Sequence, residues 1–73
     1  MSVKIKRYLI EMANDIKEKI RDDECHSPEG SRRFIKKIDT AIYQAKEGWI
    51  TSIETIGEIL AAYDDFVSST YQN

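Results

Sequence analysis

The sequence predicts an all-α fold, a small three-helix bundle with helices at about 3–22, 28–47 and 52–68. Apolar residues recur every three or four positions in three segments, as they do on one face of a helix. Capping and stop residues separate these segments. The length of 73 residues leaves room for one domain, which we expect to span residues 1–73.

The first helix is predicted from a stripe of apolar residues at helical spacing. Charged residues fill the positions between them, and no alternating strand pattern fits the segment. The acidic segment 22–26 then breaks the period. The stripe consists of Ile5, Leu9, Met12, Ile16 and Ile20.

The second helix is predicted to begin after Ser27 and to end near Gly48. Serine is a favoured N-cap, and Pro28 suits the first helical position because its missing N–H is not needed there. Gly48 is the expected residue after the last turn, and Trp49 follows as an apolar residue that can fold back onto that turn. The apolar face comprises Phe34, Ile38, Ala41 and Ala45, with Ile35 and Ile42 at its edge.

The third helix is predicted to begin with Thr51 and Glu54, whose spacing is that of a capping box. Its predicted core stripe repeats at spacings of three and four residues. Ile59 and Phe66 widen the apolar arc to roughly 140°, and Gly57 lies just outside this arc. The stripe consists of Ile53, Ile56, Leu60, Tyr63 and Val67.

The wide arc of the third helix has two interpretations. The helix lies between the other two, or it also forms a seam with a second protomer or another partner. Gly57 favours the close approach of another backbone, since glycine inside a helix costs about 1 kcal/mol relative to alanine. A domain of about 60 residues buries only about 60% of its unfolded surface. We therefore expect dimerisation through the third helix, or a protein partner, to complete the bundle.

Several apolar residues lie away from the main stripes and are candidates for a partner interface. Val3 and Ile10 lie opposite much of the first stripe, Tyr43 is on the polar side of the second helix, and Trp49 occupies the turn. Aromatic residues and isoleucines near mixed charge are typical of interfaces. The predicted interface consists of Val3, Ile10, Tyr43, Trp49, Ile59 and Phe66.

The formal net charge of −2 divides into basic segments at residues 1–21 and 31–47 and acidic segments at residues 22–30 and 48–73. In an up-down-up bundle, the end of the third helix lies near the start of the second. Acids near a helix C-terminus oppose the helix dipole and need another partner. We therefore predict charge pairing of Arg32 and Arg33 with Asp64 and Asp65.

No arrangement of residues predicts catalysis, a cofactor or a metal site, so we expect a protein that is not an enzyme. Cys25 and His26 are the single cysteine and histidine, whereas zinc sites need several converging ligands. The acids around Cys25 disfavour the thiolate that a catalytic cysteine needs. The glycines, Gly30, Gly48 and Gly57, lie too far apart for a phosphate-binding loop.

Nucleic-acid binding is the alternative class of function. The short glycine-containing turn is compatible with a helix-turn-helix unit, whose second helix would enter the major groove. The third helix carries four acids and no Lys or Arg, so repulsion from phosphate argues against that geometry. The basic faces of the first and second helices could instead contact phosphate, and on the second helix the bases around Tyr43 are Arg32, Lys36 and Lys46.

The sequence predicts a cytoplasmic protein without a membrane span. No apolar run approaches the roughly 20 residues that crossing a bilayer needs. A single cysteine cannot form an internal disulfide, which argues against a stapled secreted domain. The N-terminal residues include charges but no apolar export segment. Acids dilute the bases of the first helix, which argues against binding at a membrane surface.

Residues 41–54, AIYQAKEGWITSIE, resemble a stretch of small bacterial antitoxins in which an alanine-rich helix ends at a glycine before a second helix. The stretch covers about a fifth of the chain. The ribbon strand typical of those antitoxins is not apparent near the N-terminus. With the small size and the lack of catalytic groups, we expect a protein-binding regulator or inhibitor of antitoxin, immunity or accessory-factor type.

Overall fold

A computed structural model of the chain describes residues 5–23 and 28–71, with side chains except at 28, 70 and 71. These residues form three helices: α1 (Arg7–Arg21), α2 (Pro28–Lys46) and α3 (Ser52–Tyr71). The described residues contain no strand. The prediction of an all-α three-helix fold is therefore confirmed.

The ends of α1 and α3 differ from the predicted boundaries. α1 begins at Arg7 rather than near residue 3, because Lys6 has extended dihedral angles (φ −71°, ψ 138°) and provides no side-chain cap. Lysine cannot accept the N–H hydrogen bond that an N-cap side chain accepts. α3 continues to Tyr71, three residues beyond the predicted end at 68. The predicted N-cap of α2, Ser27, lies outside the described residues.

The three helices pack around one core in an elongated bundle with extents of 43 × 18 × 17 Å. Each helix contacts both of the others, but α1 and α3 pack less extensively with each other than either packs with α2. The buried core brings together Ala13, Ile16, Ile20, Phe34, Ile38, Ala41, Ile59, Ala62 and Phe66. The central position of α2 leaves the α1–α3 side of the bundle the least closed.

The predicted core faces of α2 and of most of α1 are confirmed. Phe34, Ile38, Ala41 and Ala45 of α2 are all buried, as predicted. In α1, the stripe is shifted slightly because Ala13 is buried where Met12 is only half-buried. A small residue lets the neighbouring helices approach more closely than a long methionine does.

The side of α3 that faces the core differs from the predicted one. Thr55, Ile59, Ala62 and Phe66 are buried, whereas the predicted core residues Ile53 and Leu60 are 82% and 50% exposed. The other residues of the predicted stripe are partly buried at its edge: Ile56, Tyr63 and Val67. The apolar arc is wider than the bundle can bury, so packing selects one part of it.

The buried side of α3 is selected by small and aromatic side chains. The Phe66 ring meets the Phe34 ring edge-on, with 5.4 Å between centroids. Ala62 takes little space, and the buried Thr55 hydroxyl donates a hydrogen bond of 2.7 Å to the Thr51 carbonyl. A threonine satisfied within its own helix can enter a core without the cost of an unpaired polar group. Ile59 and Phe66 are thereby core residues of this chain.

An ion pair between α1 and α2 shows which side of α1 faces α2. The Lys17 ammonium lies 2.6 Å from an Asp39 carboxylate oxygen. α1 and α2 run antiparallel, so residues before Lys17 are level with residues after Asp39. Ile10 is therefore level with Lys46, each seven residues from its member of the pair.

No described helix combines the length and the sustained apolar character that spanning a bilayer would require.

Candidate functional site

The turn between α2 and α3 is built by Gly48. Gly48 has a positive φ of 78°, which an L side chain rarely adopts. Its N–H donates to the Ala45 carbonyl, and the Trp49 N–H donates to the Gln44 carbonyl at 2.9 Å. These two bonds are those of a Schellman motif, so the predicted stop at Gly48 is confirmed.

This turn brings two predicted interface residues, Tyr43 and Trp49, into contact. Their rings meet edge-on, at 87° and with 5.6 Å between centroids. Trp49 thus folds back onto the last turn of α2, as predicted. The contact does not bury the rings, because Tyr43 remains 53% exposed and Trp49 65% exposed. We call Tyr43 and Trp49 the aromatic pair.

The start of α3 is fixed by the predicted capping box, which is confirmed. The Glu54 N–H donates to the Thr51 hydroxyl oxygen at 3.1 Å. The Thr51 N–H donates to a Glu54 carboxylate oxygen at 3.0 Å. The Thr51 backbone N–H first, and its side-chain hydroxyl second, hydrogen-bond to the Glu54 carboxylate and lower the pKa of Glu54 below its ordinary value. The cap sets the direction of α3 as it leaves the turn.

Exposed apolar side chains concentrate at the end of the bundle formed by this turn and by the starts of α1 and α3, which we call the turn end. A groove of about 250 Å³ here joins the three elements through residues that include Ile5, Leu9 and Ile50. Four of the five large apolar side chains that are exposed among those described lie at this end. These four are Tyr8, Tyr43, Trp49 and Ile53.

The other predicted interface residues have different locations. Ile10 is half-buried and level with Lys46, on the side of α1 that faces α2 and toward the turn end. Val3 lies outside the described residues. Ile59 and Phe66 are 0% and 3% exposed, so they are not part of any surface of the folded chain. Their assignment to a partner interface is therefore corrected.

The predicted charge pairing of Arg32 and Arg33 with Asp64 and Asp65 is not formed. No ion pair joins these four side chains, all of which are described. Arg32 lines a groove toward α1 instead. The Arg33 guanidinium lies 5.5 Å from the centroid of the Phe34 ring, an arrangement that favours a cation. Ring contact and solvation thus replace the expected pairs.

A groove with charged walls lies between α2 and α3. Its volume is about 490 Å³, and Ala61 and Ala62 are among its lining residues. The α2 wall carries bases and the α3 wall carries acids, so the groove has no single charge that would select a ligand. The charged residues lining it are Arg33, Lys36, Lys37, Glu58 and Asp65.

A second apolar region runs along the α1–α3 side. Met12, Tyr63 and Val67 are partly buried against the core, and Leu60 is 50% exposed beside them. Tyr8 is not among the predicted interface residues, and the α3 members of this region are predicted as core residues. The width of the apolar arc on α3 could have indicated that some of its residues stay exposed, because the arc is wider than α1 and α2 can cover. We call the following residues the α1–α3 face: Tyr8, Met12, Ile53, Ile56, Leu60, Tyr63 and Val67.

The structure describes only the first two residues, Asp22 and Asp23, of the acidic segment after α1. Glu24, Cys25 and His26 lie outside the described residues. Within the described part of the chain, no three His, Cys, Asp or Glu side chains are grouped as metal ligands would be. The expectation that the protein has no catalytic, cofactor or metal site stays a prediction.

No protein-family model matches the chain, and no curated protein or solved structure is significantly similar to it. The resemblance of residues 41–54 to bacterial antitoxins stays a prediction.

Proposed function

We propose that this chain is a small, non-enzymatic cytoplasmic regulator or inhibitor that acts by binding another protein. The class is that of an antitoxin, an immunity protein or an accessory factor. The observation that carries the proposal is the concentration of exposed large apolar side chains at the turn end. Scattered exposed apolar residues are ordinary, whereas a concentration of them at one site is typical of protein interfaces.

The aromatic pair is the proposed centre of the contact. Trp and Tyr contribute a large part of the binding free energy at many interfaces because they bury large areas with few rotatable bonds. The Schellman turn and the edge-on contact hold Trp49 against Tyr43 before any partner arrives. A pre-ordered pair loses little side-chain entropy on binding, which favours affinity.

The mechanism that this surface supports is occlusion. A partner seated on the aromatic pair would also cover the end of α2 and the neighbouring part of α1. Ile10 is half-buried there, and Lys46 adds an exposed positive charge at the same level. A regulator of this kind inhibits or stabilises its partner by covering a surface, without changing a covalent bond.

The single tryptophan provides a direct test. Trp49 is the only tryptophan of the chain, and its exposed indole should emit as a solvated one. The tagged chain is used to isolate a host protein, which is then purified and titrated against the untagged chain. We expect a blue shift of the Trp49 emission that saturates at a defined stoichiometry, because binding removes water from the indole.

A matched variant separates this site from other surfaces. The Tyr43→Ser/Trp49→Ser variant should keep the helical circular-dichroism spectrum and lose the captured protein. Ser68→Ala on the exposed part of α3, far from the turn end, serves as the control and should retain it. Equal capture by the double variant and the native chain would contradict the proposal, as would a blue shift that never saturates.

Nucleic-acid binding is a second candidate because of one feature of α2. Tyr43 is exposed on the side of the helix that also carries Arg32, Lys36 and Lys46. An exposed ring among bases can stack on a nucleobase while the bases contact phosphate. Retention on single-stranded DNA or RNA that weakens steeply as salt increases would favour this function. Lack of retention at low salt would eliminate it.

A further inference from the structure

The α1–α3 face is the least closed side of the bundle, and its α3 residues have a regular spacing. Ile53, Ile56, Leu60, Tyr63 and Val67 follow one another at intervals of three and four residues. All five are exposed or only partly buried. From α1, the face continues through the exposed Tyr8 and the half-buried Met12. α1 and α3 pack less extensively than the other helix pairs, and the described residues cover this apolar strip only in part.

We infer that the α1–α3 face binds an amphipathic helix of a partner protein, with Lys or Arg residues flanking the apolar stripe of that helix. The inference rests on the proposed protein-binding function and adds the chemistry of the partner. Docking of such a helix would convert the three-helix bundle into a four-helix one. It would also bury the side chains that α1 leaves uncovered on α3.

The spacing on α3 identifies the occupant as a helix. Alternating intervals of three and four residues are the heptad pattern of a surface that packs against another helix in nearly parallel or antiparallel orientation. The described residues contain no strand, so the face offers no sheet edge to an extended peptide.

The charges at the edges of the face identify the flanks of the partner. Glu11 and Asp15 lie three residues beyond Tyr8 and Met12 on α1, and Asp64 lies four residues beyond Leu60 on α3. All three acids are exposed, and Arg7 contacts Glu11 at 3.3 Å. Lys19 lies seven residues after Met12 on the same side of α1, so Lys19 and Arg7 are the two bases among these acids. Basic flanks would face the acids of both edges.

The same charges disfavour a second copy of the chain as the occupant. α3 carries four acids and no Lys, Arg or His over Ser52–Tyr71. Two copies meeting through this face would bring acidic edge against acidic edge, whether α3 faced α3 or α1 of the other copy. Like charges brought together at an interface weaken it and suppress that pairing.

Gly57 leaves room for a helix at the edge of the face. It is exposed on α3 one turn from Ile53 and from Leu60, just outside the apolar arc, and a Cβ built at this glycine meets nothing within 4 Å. The predicted close approach of another backbone is therefore absent within the described chain. An approaching partner backbone would use the space that a side chain would otherwise fill.

Fluorescence anisotropy with two designed peptide probes tests the inference. Both are labelled 20-residue helices with the same leucine stripe, one with Lys and one with Glu at the flanking positions. We expect the Lys-flanked probe to bind about tenfold more tightly at low salt, and the difference to shrink as salt screens the exposed charges. Equal binding of the two probes, or no binding of either, would overturn the inference.

Two pairs of variants locate the binding site of the probe. They also distinguish close helix packing at Gly57 from unspecific binding to an apolar surface. Leu60→Asp should weaken binding of the Lys-flanked probe about tenfold or more, whereas Thr40→Asp on exposed α2 should leave it unchanged. Gly57→Leu should weaken binding about fivefold because it blocks close approach, while Thr40→Leu should not. Tighter binding to Gly57→Leu would indicate an unspecific apolar surface and overturn the inference.

The oligomeric state and the aromatic pair complete the test. Sedimentation equilibrium should show a monomer; a dimer that Leu60→Asp abolishes would assign the face to a second copy and overturn the inference. A host protein that is lost by Tyr43→Ser/Trp49→Ser but retained by Leu60→Asp would leave the proposed function intact and overturn only the inference about this face. Loss in both variants supports both.

Discussion

α3 has two neighbours, and its two flanks differ in how they meet them. Toward α2 the helices pack extensively, and the groove above the contact is lined by bases on one wall and acids on the other. Toward α1 the helices pack less extensively, and apolar side chains on this flank of α3 are exposed to solvent. Charged residues at the edge of a helix contact are solvated and disfavour the binding of a further molecule. Apolar residues at such an edge favour binding, because their burial releases water. The α1–α3 face is therefore the side on which we propose that a partner helix binds.

Among changes that alter side-chain volume, the largest expected effect distinguishes two stacked aromatic residues that lie three positions apart on α3. Phe66 is buried against Phe34, while Tyr63, stacked on Phe66 with 6.4 Å between centroids, is only half-buried. Phe66→Ala should cost about 3–5 kcal/mol, a large part of the stability of a domain this small. Tyr63→Ala should cost clearly less. Urea unfolding followed by circular dichroism measures both, and equal losses would contradict the assigned facing.

A neighbouring pair of alanines sharpens the comparison by adding volume instead of removing it. Ala62 is 3% exposed in the core, and Ala61 is exposed beside it. Ala62→Leu should destabilise the chain by about 1–3 kcal/mol because the core has no room for the added methylenes. Ala61→Leu should change the free energy of unfolding by less than about 0.5 kcal/mol. The reverse order in urea midpoints would show that α3 is rotated from its described position.

Replacement of Gly57, on the exposed side of α3, is expected to increase the stability of the chain. Its surroundings are open, and its φ is not in the left-handed region. Gly57→Ala should therefore stabilise the isolated chain by about 0.5–1 kcal/mol, since alanine reduces the entropy of the unfolded chain and favours helix. A higher melting temperature is the expected result. A lower one would mean that the chain itself closes over this position.

The smallest expected effect concerns the cap of α3. The pKa of Glu54 is lowered by its hydrogen bonds with Thr51, so its ionised form adds stability that is fully present above the ordinary value near 4.5. This stability is lost as the pH falls through the lowered pKa. Glu54→Gln keeps an acceptor for the Thr51 N–H but has no charge to titrate. The difference in melting temperature between the native chain and Glu54→Gln should close on acidification; a difference independent of pH would contradict the assignment.

Local signals in the sequence predicted the helices and the turn between α2 and α3, because these depend on neighbouring residues. Gly48 and Trp49 form the predicted Schellman turn, and Thr51 and Glu54 form the predicted capping box. The face of α2 was also predictable, since its apolar arc is narrow enough for only one orientation. The start of α1 was not, because no capping residue precedes Arg7 to mark it.

The facing of α3 and the charge pairing could not be predicted because they depend on packing among three helices. The apolar arc of α3 is wide enough for two orientations, and the choice between them is made by Thr55 and Ala62, which do not stand out as core residues. That choice moves Ile59 inward and Leu60 outward. Likewise, Arg33 lies over the Phe34 ring and Arg32 faces another groove, which no charge pattern reveals. The exposed aromatic pair was predictable because both residues lie off the stripes.

The most direct measurement compares unfolding of Ile59→Asp and Leu60→Asp, two adjacent residues that α3 turns in opposite directions. Ile59 is 0% exposed and Leu60 is 50% exposed. A charge at the first position would be buried without a partner, and at the second it would be solvated. We expect Ile59→Asp to lose the cooperative unfolding transition and Leu60→Asp to remain folded within about 1 kcal/mol of the native chain. A folded Ile59→Asp with an unfolded Leu60→Asp would contradict the orientation of α3 on which the α1–α3 face depends.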